Sequence, residues 1–195
     1  MSIWYGNDVA DETELRLCGD LSGKRVIELG IAPRSNALAM AALGAKAIAV
    51  DTSGERIAAL RSAAEVAELR VECHRAELAE LGMVASTSVD VVISAHSIGG
   101  VDDVPRLLRQ VHRVLRPGAS FIVAMRHPVA AMFDGDDPGR PAQPYGGAGL
   151  TIGELYMSFE RSNFHADVIH ELNDRRTRQP LAPSVLVVRA RKQGV

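Results

Sequence analysis

The sequence is poor in cysteine and in aromatic residues. Its only two cysteines, Cys18 and Cys73, form neither a CxxC pair nor a disulfide framework, so we expect a protein of the reducing cytoplasm. Four Phe, three Tyr and one Trp are too few for an extended surface that stacks bases. The 22 basic and 24 acidic residues leave a net charge of -2, which provides no overall positive field for nucleic acid or an anionic membrane. We therefore expect neither as a partner.

A membrane-spanning run and an export signal are missing as well. The best candidate for a span, residues 37–50, contains Lys46 and is shorter than the roughly 18 residues that a span needs. No basic region followed by an apolar run stands at the N-terminus, so no export signal is expected. The 195 residues, 47% of them hydrophobic, fit one globular domain at roughly 100 to 200 residues per domain. We expect residues 1–195 to form a single domain.

Hydrophobic periodicity predicts strands and helices that alternate. Short apolar runs predict five successive strands, at residues 24–30, 46–50, 70–74, 90–94 and 119–125. Helices are predicted at 35–43, after the capping residues 52–55, and from Pro105 to a stop at Pro117-Gly118. This alternation indicates an α/β fold, a Rossmann-like, doubly wound and mostly parallel sheet with helices on both faces.

The C-terminal third predicts a different arrangement. Residues 151–164 have helical spacing, with Phe164 on the inner face, and two strands follow at 166–170 and 183–188. Because a hairpin-like loop joins these strands, we expect an antiparallel C-terminal edge strand. The sheet then has seven strands.

Two segments stand outside the predicted elements. Residues 126–150 contain four prolines and five glycines and form a loop insertion that is either functional or disordered. Its acidic group, Asp134, Asp136 and Asp137, lacks the spacing of an EF-hand, so we favour a solvated loop over a metal site. Residues 1–23, with Trp4 and Tyr5, form either a lid over the pocket or a segment packed on the sheet edge.

The candidate binding residues follow the predicted strands, because ligands of doubly wound sheets bind beyond the carboxyl ends of the strands. These positions are residues 30–36, Asp51, Glu77, residues 94–97 and residues 126–128. Asp51 follows Gly30 by about 20 residues, the spacing typical of an acid that accepts the hydroxyl hydrogens of a ribose. The competing interpretation is that Asp51 caps the next helix.

The first of these turns, Gly30-Ile-Ala-Pro-Arg-Ser35, lacks the second and third glycines of the dinucleotide fingerprint. A pyrophosphate is hard to place there, which disfavours a NAD(P)-dependent oxidoreductase. Ala32 crowds a close ligand modestly. Arg34 either points to solvent or adds a positive charge that can hold an amino-acid carboxylate.

The chain resembles a class I S-adenosylmethionine-dependent methyltransferase of the compact bacterial kind, with a seven-stranded sheet. The segments that carry the resemblance are 26–30 (VIELG), 47–51 (AIAVD), 76–78 (AEL), 88–95 (SVDVVISA), 112–118 (HRVLRPG), 4–6 (WYG) and 183–192. The helix that ends in Leu115-Arg-Pro-Gly118 before a strand is the most specific of them. Matching segments occur in order over nearly the whole chain.

The resemblance implies methyl transfer from S-adenosylmethionine to a small-molecule acceptor. It implies a set of cofactor-binding positions: Glu28, Gly30, Ala32, Arg34, Asp51, Thr52, Glu77, Leu78, Ser94 and Ala95. Glu28 and Gly30 would lie by the methionyl part and Asp51 at the ribose. Glu77 would accept from the adenine amino group, with Leu78 against the ring. Ser94 or Ala95 would line the end of the fourth strand near the cofactor.

The first turn departs from the family pattern G-x-G-x-G, because Ala32 and Arg34 replace the later glycines. A methyltransferase-like protein that binds the cofactor weakly, or not at all, and acts as a partner or sensor is therefore the alternative. We also expect the pocket to be open or to be completed by a second copy of the chain in a homodimer.

Two histidines are candidate bases for an acceptor that arrives protonated. His96 follows the fourth predicted strand and His127 the fifth, and a histidine pKa lies near operating pH. Each has the competing interpretation of a surface or loop-stabilising histidine. A carboxylate acceptor would need no base.

Overall fold

The structure is a computed structural model that describes residues 2–135, 137 and 139–194. Its helices are α1 (Glu12–Leu15), α2 (Asn36–Ala42), α3 (Gly54–Val66), α4 (Val104–Val114), α5 (Pro128–Ala131) and α6 (Ile152–Arg161). Its strands are β1 (Arg25–Leu29), β2 (Lys46–Asp51), β3 (Val71–Arg75), β4 (Val89–Ala95), β5 (Leu115–Arg126), β6 (Phe164–Leu172) and β7 (Val185–Lys192). None of the helices in this described part is long and apolar enough to cross a bilayer.

The seven strands form one sheet in the order β3-β2-β1-β4-β5-β7-β6. Neighbouring strands among β1 to β5 pair in parallel, whereas β7 pairs antiparallel with both β5 and β6. The prediction of a doubly wound, mostly parallel, seven-stranded sheet is confirmed. The C-terminal strand itself lies inside the sheet, and β6 forms the edge.

The winding direction reverses between β1 and β4. The chain moves from β1 outward to β3, then returns across β1 to β4 and continues to the other edge. Ligands of such sheets bind at this switch point, outside the carboxyl ends of the strands. The fold therefore assigns the residues after β1, β2, β3 and β4 to one rim.

Two hydrophobic cores lie on the two faces of the sheet, because successive side chains of a strand point to opposite faces. In β4, Val91 and Ile93 join the core beneath α2, α3 and the N-terminal segment. Val92 joins the core beneath α4 and α6. Burial on both faces explains why these strands are continuous apolar runs in the sequence.

Hydroxyl residues begin the helices that flank the rim. The Ser35 hydroxyl accepts from the Leu38 N–H at the start of α2, and the Ser53 hydroxyl accepts from the Arg56 N–H at the start of α3. Such caps satisfy backbone donors that the first helical turn leaves unpaired. Because Ser53 caps α3, Asp51 is not needed for that role.

Two predicted boundaries are wrong. The helix α4 ends at Val114, and Pro117-Gly118 lies within β5 rather than at the helix terminus. A proline disfavours helical geometry in the residue before it, and the pairing of β4 with β5 shifts register in this region. Phe164 begins β6 instead of ending a helix, because α6 stops at Arg161.

Candidate active site

A rim cavity of about 500 Å³ lies beyond the carboxyl ends of the central strands. Five of the residues expected to bind a cofactor line it together: Gly30, Asp51, Thr52, Glu77 and Leu78. They come from the turns after β1, β2 and β3, so the fold brings together positions that lie up to 48 residues apart in the sequence. A volume of this size suits a small-molecule ligand.

Two further cavities share lining residues with the rim cavity. The N-terminal cavity, about 1300 Å³, is lined by the first residues of the chain, by Ala32, Arg34 and Ala95, and by one side of α3. The β5 cavity, about 230 Å³, lies against Met125 and Leu150. His96 lines all three cavities. This histidine is therefore the point where the three spaces meet.

The Asp51 carboxylate lies at the tip of β2 and is 2% exposed. Its Oδ1 accepts from the Ser53 N–H at 2.7 Å, and its Oδ2 accepts from the Ile31 N–H at 2.7 Å. Arg56 Nη1 donates to the same Oδ2 at 3.2 Å. The Arg56 side chain is 61% exposed. It is thus a solvent-exposed partner of Asp51, whereas Ile31 and Ser53 donate from the backbone.

Gly30 is required by the backbone and by its neighbour. Its φ of +73° is a conformation that favours glycine. A Cβ at this position would lie 2.3 Å from Ser97 Cβ. The Ser97 hydroxyl donates to the Leu29 carbonyl and shares a hydrogen bond of 2.7 Å with the Ser94 hydroxyl. The turn after β1 is thus packed against the turn after β4, while Ser94 is fully buried.

Glu28 organises the turn that lacks glycines. Its carboxylate is fully buried and accepts hydrogen bonds from the Ala32, Asn36 and Ala37 N–H groups and from the Ser35 hydroxyl. Burial raises the pKa of Glu28, and these four hydrogen bonds oppose the shift. A carboxylate therefore already occupies the N-terminus of α2, the place where a dinucleotide fold would hold a pyrophosphate.

His96 presents one free ring nitrogen. Its Nε2 lies 2.8 Å from the Tyr5 carbonyl oxygen, and because a carbonyl only accepts, Nε2 carries the proton. Within the described part of the chain, Nδ1 has no hydrogen-bond partner. Partial burial lowers the pKa of His96, and the nearby Arg126 charge acts in the same direction. The ring is thus a neutral base near neutral pH.

His127 lies elsewhere. Its side chain is 1% exposed, with Nε2 at 2.9 Å from Glu171 Oε1 and Nδ1 accepting from the Val129 N–H at 3.2 Å. It caps α5 and lines none of the three described cavities. Both ring nitrogens are engaged, which agrees with the loop-stabilising interpretation.

The N-terminal segment is tied down over its cavity. The Trp4 backbone N–H donates to Asn36 Oδ1 at 2.7 Å, and Asn36 Nδ2 donates to the Trp4 backbone carbonyl at 3.0 Å. The Trp4 ring lies 5.3 Å from the His96 ring, centroid to centroid. Residues 2–9 therefore wall the N-terminal cavity beside the free face of His96.

The acidic group of the loop has structural partners where it is described. Asp134 pairs with Arg126, and Asp137 accepts from the Gly139 N–H at 2.9 Å. Asp136 and the neighbouring Pro138 lie outside the described residues. Among the residues that are described, no group of three His, Cys, Asp or Glu side chains is arranged to hold a metal ion.

The sequence reasoning misses Arg56 altogether. Asn36 and Tyr5 lie in segments expected at the pocket, but their contacts are not expected from the sequence. Arg56 follows Asp51 by five positions, in the first turn of α3, so helical spacing after the strand was an available signal. Asn36 and the Tyr5 carbonyl act across 32 and 91 residues of sequence. No local pattern marks contacts at such separations.

Known proteins are similar to this chain in sequence and in fold. Residues 27–123 match the family model described as a methyltransferase domain. A protein of Mycolicibacterium smegmatis, named as a probable S-adenosylmethionine-dependent methyltransferase, is 28% identical over 154 residues, which are 78% of this chain and 56% of that protein.

Two solved structures illustrate the fold. An S-adenosylmethionine-dependent methyltransferase from Mesorhizobium loti gives a TM-score of 0.75 at 23% identity, covering 91% of this chain and 95% of the other. The 1,6-didemethyltoxoflavin-N1-methyltransferase of Burkholderia thailandensis, solved with 1,6-didemethyltoxoflavin and S-adenosylhomocysteine bound, gives 0.65 at 18% identity, covering 94% and 75%. At these identities the likeness shows the fold alone.

The methyltransferase-domain match over residues 27–123, the relative and the fold together support a class I S-adenosylmethionine-dependent methyltransferase. The resemblance expected from the sequence is confirmed. The chain spans 56% of the length of the curated relative that it matches. None of the proteins compared above is described as an oxidoreductase.

The residues of the rim cavity fit the adenosyl group of this cofactor. A carboxylate has about four acceptor positions, and backbone donors fill two of those on Asp51. The third is held by Arg56. If the exposed Arg56 side chain moves away, two acceptor positions of Asp51 become free, which is the number that a ribose diol needs.

Proposed function

We propose that the protein transfers the methyl group of S-adenosylmethionine to a small-molecule acceptor. The observation that carries the proposal is the Asp51 carboxylate on the rim cavity. Its solvent-exposed partner, the Arg56 side chain, can be replaced by a ribose. When bound, the cofactor supplies an already activated sulfonium methyl group. The work left to the chain is to hold the acceptor in line and to exclude water.

In this proposal the rim cavity binds the adenosyl moiety. Asp51 accepts from the two ribose hydroxyls, Glu77 accepts from the adenine amino group, and Leu78 packs on the ring. Thr52 lies beside Asp51 in the same lining. Gly30 shapes the turn next to the methionyl part, and Glu28 supports this turn from beneath through its backbone hydrogen bonds.

The N-terminal cavity offers space for an acceptor next to His96. Its apolar lining includes Leu38 and Leu60, and Arg34 lines it without a carboxylate partner within 4.0 Å in the described part of the chain. The His96 Nδ1 atom accepts a proton from an acceptor hydroxyl or ammonium group. The pinned segment around Trp4 excludes water from one side.

Small-molecule specificity is supported by the volumes of these cavities and by the Burkholderia thailandensis methyltransferase, whose 1,6-didemethyltoxoflavin ligand is a small molecule. The proposal includes a cytoplasmic location, which the two unpaired cysteines support. A homodimer that closes the open side of the N-terminal cavity remains part of the proposal.

Thermal unfolding in the presence of ligands tests this function. At about 100 times its Kd, a ligand adds about 2.7 kcal/mol to the free energy of unfolding, which corresponds to roughly 5 to 10 °C in Tm for a chain of this size. S-adenosylmethionine and S-adenosylhomocysteine are expected to raise Tm, and NAD(P) is not. No shift with either adenosyl ligand would favour the partner or sensor alternative, and a shift with NAD(P) alone would contradict the proposal.

A further inference from the structure

A basic cavity of about 430 Å³ lies at the opposite end of the strands from the rim cavity. It is walled by the turn after α1, by Lys24 just before β1, and by residues 116–120 at the start of β5. The cavity therefore opens at the amino ends of the parallel strands, and it shares no lining residue with the rim cavity. Its volume suits a small ligand.

Positive charge is concentrated in this cavity although the chain as a whole carries a net charge of -2. Of the described residues that line it, Asp90 is the only acidic one, against five cationic side chains: Arg16, Lys24, Arg116, Arg189 and Arg191. Asp167, outside this lining, pairs with the last two. Along one face of β7, Val185 and Val187 belong to the core, and the same face continues as Arg189 and Arg191. The strand changes from apolar to cationic where it reaches the cavity.

The β7 arginines are held in fixed orientations. Arg189 Nε and Arg191 Nε donate to Asp167 at 2.9 and 2.6 Å. Their Nη1 atoms donate to the Leu17 and Gly118 carbonyls, each at 3.2 Å. Partial burial opposes ionisation of Asp167, yet the arginine hydrogen bonds outweigh it and lower the pKa of this carboxyl. These guanidinium groups are thus positioned before any ligand arrives.

Three donors of the cavity have no partner of their own. In the described part of the chain, Arg16 and Lys24 have no carboxylate within 4.0 Å, whereas Arg116 pairs with Asp90 at 2.7 Å. Ser120 is only 6% exposed, and its hydroxyl has no hydrogen-bond partner among the described residues. Because this hydroxyl is not sealed from solvent, it opens onto the cavity that Ser120 lines.

We infer that the basic cavity binds a small phosphate-class dianion, either inorganic phosphate or a phosphoryl group on a small organic molecule. Arg16 and Lys24 supply unpaired positive charge, the oriented arginines supply directed N–H groups, and the Ser120 hydroxyl donates from the floor. A tetrahedral oxyanion has several acceptor oxygens, which this ring of donors can satisfy together. The inference does not depend on the proposed methyl transfer.

Binding is tested by titrating the purified protein with inorganic phosphate and with glycerol 3-phosphate, at a constant ionic strength maintained with sodium chloride, while Tm is recorded. We expect a saturable rise in Tm. Arg16→Gln and Ser120→Ala should each weaken the apparent affinity by about threefold to tenfold. The control Arg109→Gln removes an exposed arginine outside the cavity and should change nothing.

The two arms identify the source of the phosphate group. Saturation by inorganic phosphate alone, or tighter saturation by glycerol 3-phosphate, each supports the inference and names the ligand type. A rise in Tm that sodium chloride reproduces, or one that Arg16→Gln and Ser120→Ala leave intact, overturns it. S-adenosylhomocysteine binding serves as a separate readout, because Arg16→Gln should leave it unchanged whether or not phosphate binds.

Discussion

His96 combines three properties of a base at a reaction centre: a free Nδ1, a tautomer set by the Tyr5 carbonyl, and a position shared by three cavities. Its strained left-handed φ of +59° is uncommon for a residue with a side chain. Strain of this kind persists where the surrounding structure enforces it, and it clusters at functional sites.

The variant His96→Gln tests this role, because the glutamine amide can still donate to the Tyr5 carbonyl while the basic nitrogen is lost. With a hydroxyl or amine acceptor, we expect kcat to fall about 100-fold or more. The wild-type rate should fall on acidification below the ordinary histidine pKa of about 6.5, since burial lowers the pKa of His96 and only the neutral ring accepts a proton. A variant that keeps this acidic limb in its pH profile would exclude His96 as the base.

In the proposed function, Arg56 competes with the ribose for the Asp51 carboxylate. Because the Arg56 side chain is 61% exposed, its ion pair is screened and contributes roughly 0 to 1 kcal/mol. In Arg56→Gln, we expect the Kd for S-adenosylhomocysteine to fall by about twofold to fivefold. Calorimetric titration measures this change, and a weaker affinity in the variant would show that Arg56 contacts the cofactor instead of opposing it.

For single residues, the sequence predicts their positions in the fold better than their roles. Asp51 and Glu77 are found because they follow strands, and position after a strand is a local property. The partner of His127 is Glu171, 44 residues away, and only the folded chain brings them together. A histidine after a strand therefore looks equally suited to catalysis and to support until its partners are known.

Among the elements, the turn from β1 into α2 shows how a chain can dispense with glycines. Glu28 takes the place of a bound anion at the α2 N-terminus and fixes the backbone of residues 32–37. The sequence shows the departure from the family pattern at Ala32 and Arg34. It does not show that a buried carboxylate two residues before Gly30 compensates for it.

Replacing this carboxylate should loosen the turn. In Glu28→Gln, an NH₂ group replaces one carboxylate oxygen. Because an NH₂ group does not accept hydrogen bonds, the donors that bonded to this oxygen lose their acceptor. We therefore expect the free energy of unfolding to fall by about 2 to 4 kcal/mol. Urea denaturation measures the loss. Glu65→Gln, an exposed change on α3, is the matched control and should be neutral. A loss below about 1 kcal/mol in Glu28→Gln would show that the turn does not depend on this charge.

Element boundaries differ from the prediction where local and tertiary preferences compete. The apolar periodicity of α4 continues to Leu115, yet this residue begins β5 and pairs with Val89 of β4. Phe164 continues the spacing of α6, but it lies in β6 with its ring 6.1 Å from both Phe121 and Phe159. Both residues keep the burial that the pattern predicts and change only the element.

For the whole molecule, the alternation of strands and helices was enough to predict the sheet and the rim that carries the candidate site. The insertion of β7 between β5 and β6 was not predicted, because both arrangements bury the same alternating faces. The strand order brings residues from the four turns after β1 to β4 together at one switch point.

In the proposed function the Asp51 carboxylate holds the sugar of an adenosyl ligand at this rim, and calorimetric titration of S-adenosylhomocysteine into Asp51→Asn tests this contact. The amide keeps one oxygen for the Ile31 or Ser53 N–H but loses the charge and an acceptor. We expect the Kd to rise about 10-fold to 100-fold, while Glu65→Gln binds like the parent protein. An unchanged Kd in a folded Asp51→Asn would show that Asp51 does not bind the ribose.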